Sequence, residues 1–68
     1  MFTVDARGLS CPEPVVRVQK AVKADPEGGK VTVDAVVAME NIKRFAAARG
    51  YAVTVEESAG EYTLTLKK

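Results

Sequence analysis

The sequence predicts an α/β (α+β) two-layer sandwich, in which both helices cover one face of a β-sheet and the other face meets water. Four segments alternate apolar and polar residues, whereas a sheet covered on both faces would show continuous apolar runs. Two other segments carry apolar residues at helical spacing. Because the segments follow one another as βαβαββ, we expect a single small domain over residues 1–68.

The first half of the chain predicts a right-handed βαβ unit with parallel strands. Phe2–Asp5 alternates as a half-buried strand does, and Gly8 follows in a turn. We expect a helix from about Pro12 to about Ala24, since prolines are tolerated in a first turn, where N–H groups lack intrahelical partners. Asp25–Gly29 is predicted as a loop and Lys30–Ala35 as the second strand.

The second half predicts a helix followed by a β-hairpin. The apolar face of this helix is formed by Met39, Ile42, Phe45 and Ala46. Gly50 is expected to end the helix, because glycine is the usual residue just past a helix C-terminus. Ala52–Glu57 and Glu61–Leu66 alternate as strands, and Ser58–Gly60 is the predicted turn between them.

Composition narrows the functional classes. The chain has 47% hydrophobic residues, 28% charged residues and a net charge of +1, which indicates a globular domain without the positive field that holds nucleic acid. No apolar run approaches a membrane span and no signal peptide is evident, so we expect a soluble cytoplasmic protein. With one Cys and no His, neither a zinc site nor a Cys–His dyad is expected, and no cofactor is predicted.

The single cysteine, Cys11, stands at the predicted start of the first helix. The helix dipole and free N–H groups stabilise an anion there, so a thiolate is favoured. Cysteine is a poor cap, and the neighbouring Ser10 could have served that purpose, which favours a functional thiol. The alternative is that Cys11 is a small hydrophobic residue of structural importance only.

The residues around Cys11 also carry a resemblance. Asp5–Val16 contains Cys-Pro-x-Pro preceded by Gly-x-x, and Lys20-Ala21 follows. This stretch resembles the signature of the TusA/SirA-like sulfur-carrier family, including its YedF-like branch. The resemblance continues through Val33-Asp34, Glu40–Ala46 and Gly50-Tyr51, so it covers nearly the whole chain. It implies a mixed four-stranded sheet of order 1-2-4-3.

The resemblance also implies a function. Cys11 would carry sulfur as a persulfide, received from a donor such as a cysteine desulfurase or another sulfurtransferase and passed to a downstream acceptor. That role is a sulfurtransferase-type relay rather than stand-alone turnover, so it leaves open whether the chain counts as an enzyme. The motif residues Gly8, Pro12 and Pro14 would support the thiol.

Three basic residues, Arg7, Arg17 and Lys20, are candidates for electrostatic support of the thiolate or for contact with a partner. Their alternative is ordinary solvation. The sequence departs from the family pattern at Ala35-Val36-Val37-Ala38, where polar residues are common, so a partner or ligand contact at that point stays open. Two other functions also stay open: a non-catalytic protein-binding module, and a redox sensor that uses a single thiol.

Overall fold

Two helices and four strands follow one another in the predicted order, and the computed structural model describes residues 1–9 and 13–68. The elements are β1 (Phe2–Asp5), α1 (Glu13–Ala24), β2 (Gly28–Val33), α2 (Val36–Ala48), β3 (Ala52–Ser58) and β4 (Glu61–Lys67). The predicted helix start at Pro12 lies outside the described residues. The hairpin strands each extend one residue further than predicted, to Ser58 and Lys67.

The four strands form one mixed sheet of order β1-β2-β4-β3. β1 and β2 are parallel, as a βαβ unit requires, while β4 is antiparallel to both β2 and β3. This confirms the strand order that the family resemblance implied. It also places β4, the last strand in the sequence, in the interior of the sheet.

One face of the sheet holds the core. A row across this face, taken in strand order, is Val4, Val31, Leu64 and Val55. Val18 of α1 and Ile42 of α2 are fully buried with these strand residues. On the other face Thr3 and Thr54 are exposed, so the alternation of apolar and polar residues along the strands corresponds to one buried and one solvated face of the sheet. The predicted two-layer arrangement is confirmed.

The predicted loop was wrong at Gly28 and Gly29, which belong to β2. Both glycines are buried, and glycine is required at these positions because the neighbouring strands approach closely. A Cβ on Gly28 would overlap the backbone of Leu66, and a Cβ on Gly29 would overlap Phe2. The strand therefore starts two residues before the predicted Lys30 and ends at Val33, two residues before the predicted Ala35. Asp34 lies just beyond the strand, where its side chain reaches the β1–α1 loop.

Two valines of α1 provide a matched test of the core. Val18 is fully buried, whereas Val16 on the same helix is 37% exposed. We expect Val18→Ala to lower the free energy of unfolding by about 1.5–3 kcal/mol, because it removes buried methyl groups and leaves a cavity. Val16→Ala removes the same atoms and should change it by no more than about 0.5 kcal/mol. Urea unfolding followed by circular dichroism measures both, and equal losses would contradict this assignment of the core.

Candidate functional site

The candidate site is the β1–α1 loop, at the carboxyl edge of the parallel strands. Open sheets with parallel strands commonly place sites at this edge. Cys11, Ser10 and Pro12 lie outside the described residues, so the predicted thiol is bracketed by Leu9 and Glu13. Leu9 is partly buried against the core, and Pro14 is fully buried. The chain on each side of residues 10–12 is therefore packed into the domain.

Gly8 fixes the direction of the loop. Its φ is +77°, a left-handed conformation that glycine adopts without the steric penalty of a side chain. A Cβ at this position would meet no atom within 4 Å, so the backbone conformation, not lack of space, demands glycine. The Gly8 N–H donates a hydrogen bond of 3.0 Å to Oδ2 of Asp34, just beyond β2. The loop is thus tied to the strand beside it.

Arg7 is held between two carboxylates. Its Nε and Nη2 donate to the two oxygens of Asp5 at 2.9 and 2.8 Å, and its Nη1 donates to Glu61 Oε2 at 3.1 Å. The backbone N–H of Arg7 also donates to Asp5 Oδ1 at 3.1 Å. These bonds to Arg7 lower the pKa of Asp5 to about 2, and the two carboxylates raise the pKa of Arg7. The guanidinium charge is therefore largely offset by its own neighbours.

The other predicted basic residues lie elsewhere. Arg17 and Lys20 are exposed on α1, and Arg17 Nε lies 4.0 Å from Glu13 Oε2 in an i,i+4 pair. Asp5 and Glu61, which hold Arg7, belong to the polar face of the sheet, whereas α1 covers the apolar face. The structure therefore does not bring Arg7 together with Arg17 and Lys20. Their role toward the thiol stays a prediction.

The start of α2 forms an apolar surface at the same edge. Ala35 is the N-cap residue, its backbone is extended, and no side chain caps the helix. The first turn carries no acidic residue, and Val36 and Val37 are 49% and 63% exposed. The helix thus begins without a capping side chain and with exposed methyl groups, two and three residues beyond the Asp34 that binds Gly8.

Three carboxylates of the site were not identified from the sequence: Asp5, Asp34 and Glu61. Asp5 and Asp34 each lie at the carboxyl end of a predicted strand, which is a usable signal for a residue at a sheet edge. Glu61 is separated from Arg7 by 54 positions, and nothing local marks the pair.

Within residues 1–9 and 13–68, no cluster of three or more Asp, Glu, Cys or His could hold a metal ion. In the same residues, no helix has the length and apolar character to cross a membrane.

Known proteins are similar to this chain in sequence, and a solved structure is similar to it in fold. The crystal structure of a SirA-like protein from Desulfitobacterium hafniense matches with a TM-score of 0.82 and 35% identity, over 98% of this chain and 96% of that one. A Pseudomonas entomophila protein named sulfur carrier protein TusA is 35% identical over 97% of this chain and 86% of its own length. A Methanocaldococcus jannaschii protein whose sulfur-carrier name is provisional is 39% identical over 100% of this chain and 95% of its own.

The fold and the loop before α1 define a small α+β domain of the SirA-like class. The family model described as sulfurtransferase TusA matches residues 2–68, and the chain belongs to this family. The TusA/SirA-like membership predicted from the sequence is confirmed. Two of these relatives carry sulfur-carrier names, so the family membership supports a sulfur-carrier role.

Gly8 provides a test of the loop conformation. We expect Gly8→Ala to lower the free energy of unfolding by about 1–2 kcal/mol, because alanine resists the left-handed conformation. Gly8→Asn should cost less, since asparagine tolerates that conformation better. A Cβ at Gly8 meets no atom within 4 Å, so steric overlap of the Cβ does not separate the two variants. Thermal and urea unfolding measure the two variants, and an alanine variant as stable as wild type would contradict the conformational argument.

Asp5 and Arg7 predict a pH dependence of stability. The pKa of Asp5 is about 2 in the folded chain against an unfolded value of about 3.9. The lowered pKa means that the pair contributes stability above about pH 4 and loses it as the pH falls through about 2. The difference in unfolding free energy between wild type and Asp5→Asn should therefore shrink over this range. Asp25, whose pKa is also lowered, is present in both proteins and cancels.

Arg7→Gln is the matched control for this pH effect. It removes the partner that lowers the Asp5 pKa and should flatten the same part of the pH profile. If the gap between wild type and either variant stays constant from pH 5 to about pH 2, the ion pair does not contribute as described.

Proposed function

We propose that this chain carries sulfane sulfur as a persulfide on Cys11 and relays it between a donor protein and an acceptor. The observation that carries the proposal is the TusA-family match over residues 2–68, which includes the Cys-Pro-x-Pro segment. The relatives' names support a carrier role. The described flanks of the segment support it as well, because Gly8 is tied to Asp34 and Pro14 is buried.

The proposed transfer balances without an added oxidant or reductant. The Cys11 thiolate attacks the terminal sulfur of a donor persulfide, an S–S bond forms on Cys11, and the donor's own thiolate leaves with the electron pair. In the second step an acceptor nucleophile attacks the terminal sulfur of the Cys11 persulfide. The Cys11 thiolate is then the leaving group and the carrier is regenerated.

Electrostatics support the first step at the start of α1. The amino end of a helix stabilises a thiolate, so the pKa of a cysteine placed there is lowered. Arg7 adds less than its formal charge, because Asp5 and Glu61 already share it. Arg17 and Lys20 are exposed on α1 and are therefore better suited to contact a partner.

The donor is proposed to be a cysteine desulfurase or another sulfurtransferase, and the acceptor a second protein of the relay. Both are proposed to approach the carboxyl edge of the sheet, where the described residues Gly8 and Asp34 lie. The exposed Val36 and Val37 lie at that edge and offer a partner an apolar contact next to the loop. In this role the chain is a co-substrate of its partners, which carry out the turnover.

The test is the intact mass of the protein after incubation with an active cysteine desulfurase and cysteine. Wild type should gain one sulfur mass, a reductant should reverse the gain, and Cys11→Ser should gain nothing because it lacks the thiolate. A second known carrier in the same reaction shows that the desulfurase is active.

Two outcomes would contradict the proposal. If wild type stays unmodified by this donor and by a persulfide of low molecular mass, and Cys11 has an ordinary pKa of about 8.5, the chain is a binding module. If Cys11 reacts with peroxide or glutathione disulfide but never accepts sulfane sulfur, the thiol is a redox sensor.

A further inference from the structure

A second surface lies at the opposite edge of the sheet from Gly8 and Asp34. A groove of about 590 Å³ opens between the C-terminal ends of α1 and α2, and we call it the basic groove. Its walls include Val22, Lys23, Pro26, Arg49, Tyr51 and Lys68. Because Gly28 pairs with Lys67, and Ala52 also pairs with Lys67, these residues lie at the amino edge of the parallel strands. The groove is therefore separate from the β1–α1 loop.

Three cations border the basic groove without a carboxylate partner. Within residues 1–9 and 13–68, no ion pair is formed by Lys23, Arg49 or Lys68. Arg49 stacks over the Phe45 ring at 5.0 Å, and Lys68 lies over the Tyr51 ring at 4.9 Å.

One acidic residue beside the groove, Asp25, precedes the lining residue Pro26 and is already engaged. Asp25 Oδ2 forms an ion pair with the amino group of Met1 at 2.8 Å, so it does not neutralise the cations of the basic groove. Three like charges around one concave surface attract an anion. The buried Tyr51 and the Val22 side chain add an apolar floor beneath these charges.

The kind of anion follows from the donors that remain. Phosphate sites in proteins are commonly built from free backbone N–H groups. Here the N–H groups of Arg49, Gly50 and Tyr51 all donate to carbonyls of α2, at 3.0 to 3.2 Å. The Tyr51 hydroxyl donates to the Pro26 carbonyl at 2.7 Å. The available donors are thus side-chain groups around an apolar floor: the amide of Gln19 and the cationic groups of Lys23, Arg49 and Lys68.

We propose that the basic groove binds an acidic segment of a partner protein. Carboxylates spaced along a peptide can meet separate cations one by one, and the apolar floor accepts a side chain between them. A compact phosphate has no apolar part to cover this floor, and the backbone N–H groups of Arg49, Gly50 and Tyr51 are already hydrogen-bonded. The groove does not depend on the proposed function, and it lies at the other edge of the sheet from Gly8 and Asp34.

The test is a titration of the ¹⁵N-labelled full chain with a glutamate hexapeptide at low and moderate salt. We expect chemical-shift changes at Gln19, Lys23, Arg49 and Tyr51, which weaken as salt screens the charges. Anisotropy of the fluorescein-labelled peptide then compares two triple variants. Lys23→Gln/Arg49→Gln/Lys68→Gln should weaken binding by about tenfold or more, because it removes the three cations of the groove.

The matched control is Lys30→Gln/Lys43→Gln/Arg44→Gln, which removes the same charge from exposed positions elsewhere. It should change affinity by no more than about twofold. The Lys23→Gln/Lys68→Gln double variant keeps Arg49 against Phe45 and serves if the triple variant does not fold. Equal weakening in groove and control variants would overturn the proposal, as would shift changes confined to other surfaces. Binding of tripolyphosphate in the groove without binding of the peptide would also overturn it.

Discussion

The antiparallel pairing of β2 with β4 is the interaction on which the rest of the structure depends. It joins the βαβ unit to the C-terminal part of the domain along the whole length of β2, from Gly28 opposite Lys67 to Val33 opposite Tyr62. Val31 and Leu64 face each other at its centre, and both are fully buried beneath the helices. Without this pairing the βαβ unit and the C-terminal part would contact each other mainly through α1 and α2, and most core residues would lose the sheet on which they pack.

The same pairing positions the candidate site. Its last pair is Val33 with Tyr62, so Asp34 just beyond β2 and Glu61 at the start of β4 reach the same edge of the sheet. Asp34 accepts a hydrogen bond from the Gly8 N–H, and Glu61 accepts one from the Arg7 guanidinium. These two bonds tie the segment before Cys11 to the ends of the two interior strands, β2 and β4. The orientation of that segment is therefore coupled to the stability of the central sheet rather than to local loop contacts alone.

Local patterns in the sequence predicted the elements and the solvated face, because alternation and helical spacing report which side of each element is buried. Strand order needed the family resemblance, since spacing does not reveal which strands are neighbours. Gly28 and Gly29 were assigned to a loop because their role, close approach to Leu66 and Phe2, depends on those neighbours. For the same reason the Arg7–Glu61 pair, which joins distant parts of the chain, could not be predicted.

The interior place of β4 has a consequence for how a cell makes this domain. Synthesis runs from the amino end, so β1, α1, β2 and α2 leave the ribosome before the strand that must lie between β2 and β3. Until then β2 has an open edge beside Val31 and Val33, and Arg7 lacks Glu61. Folding is thus deferred to the moment the last strand emerges, and a nascent chain stopped before Glu61 would expose an apolar strand to chaperones and proteases.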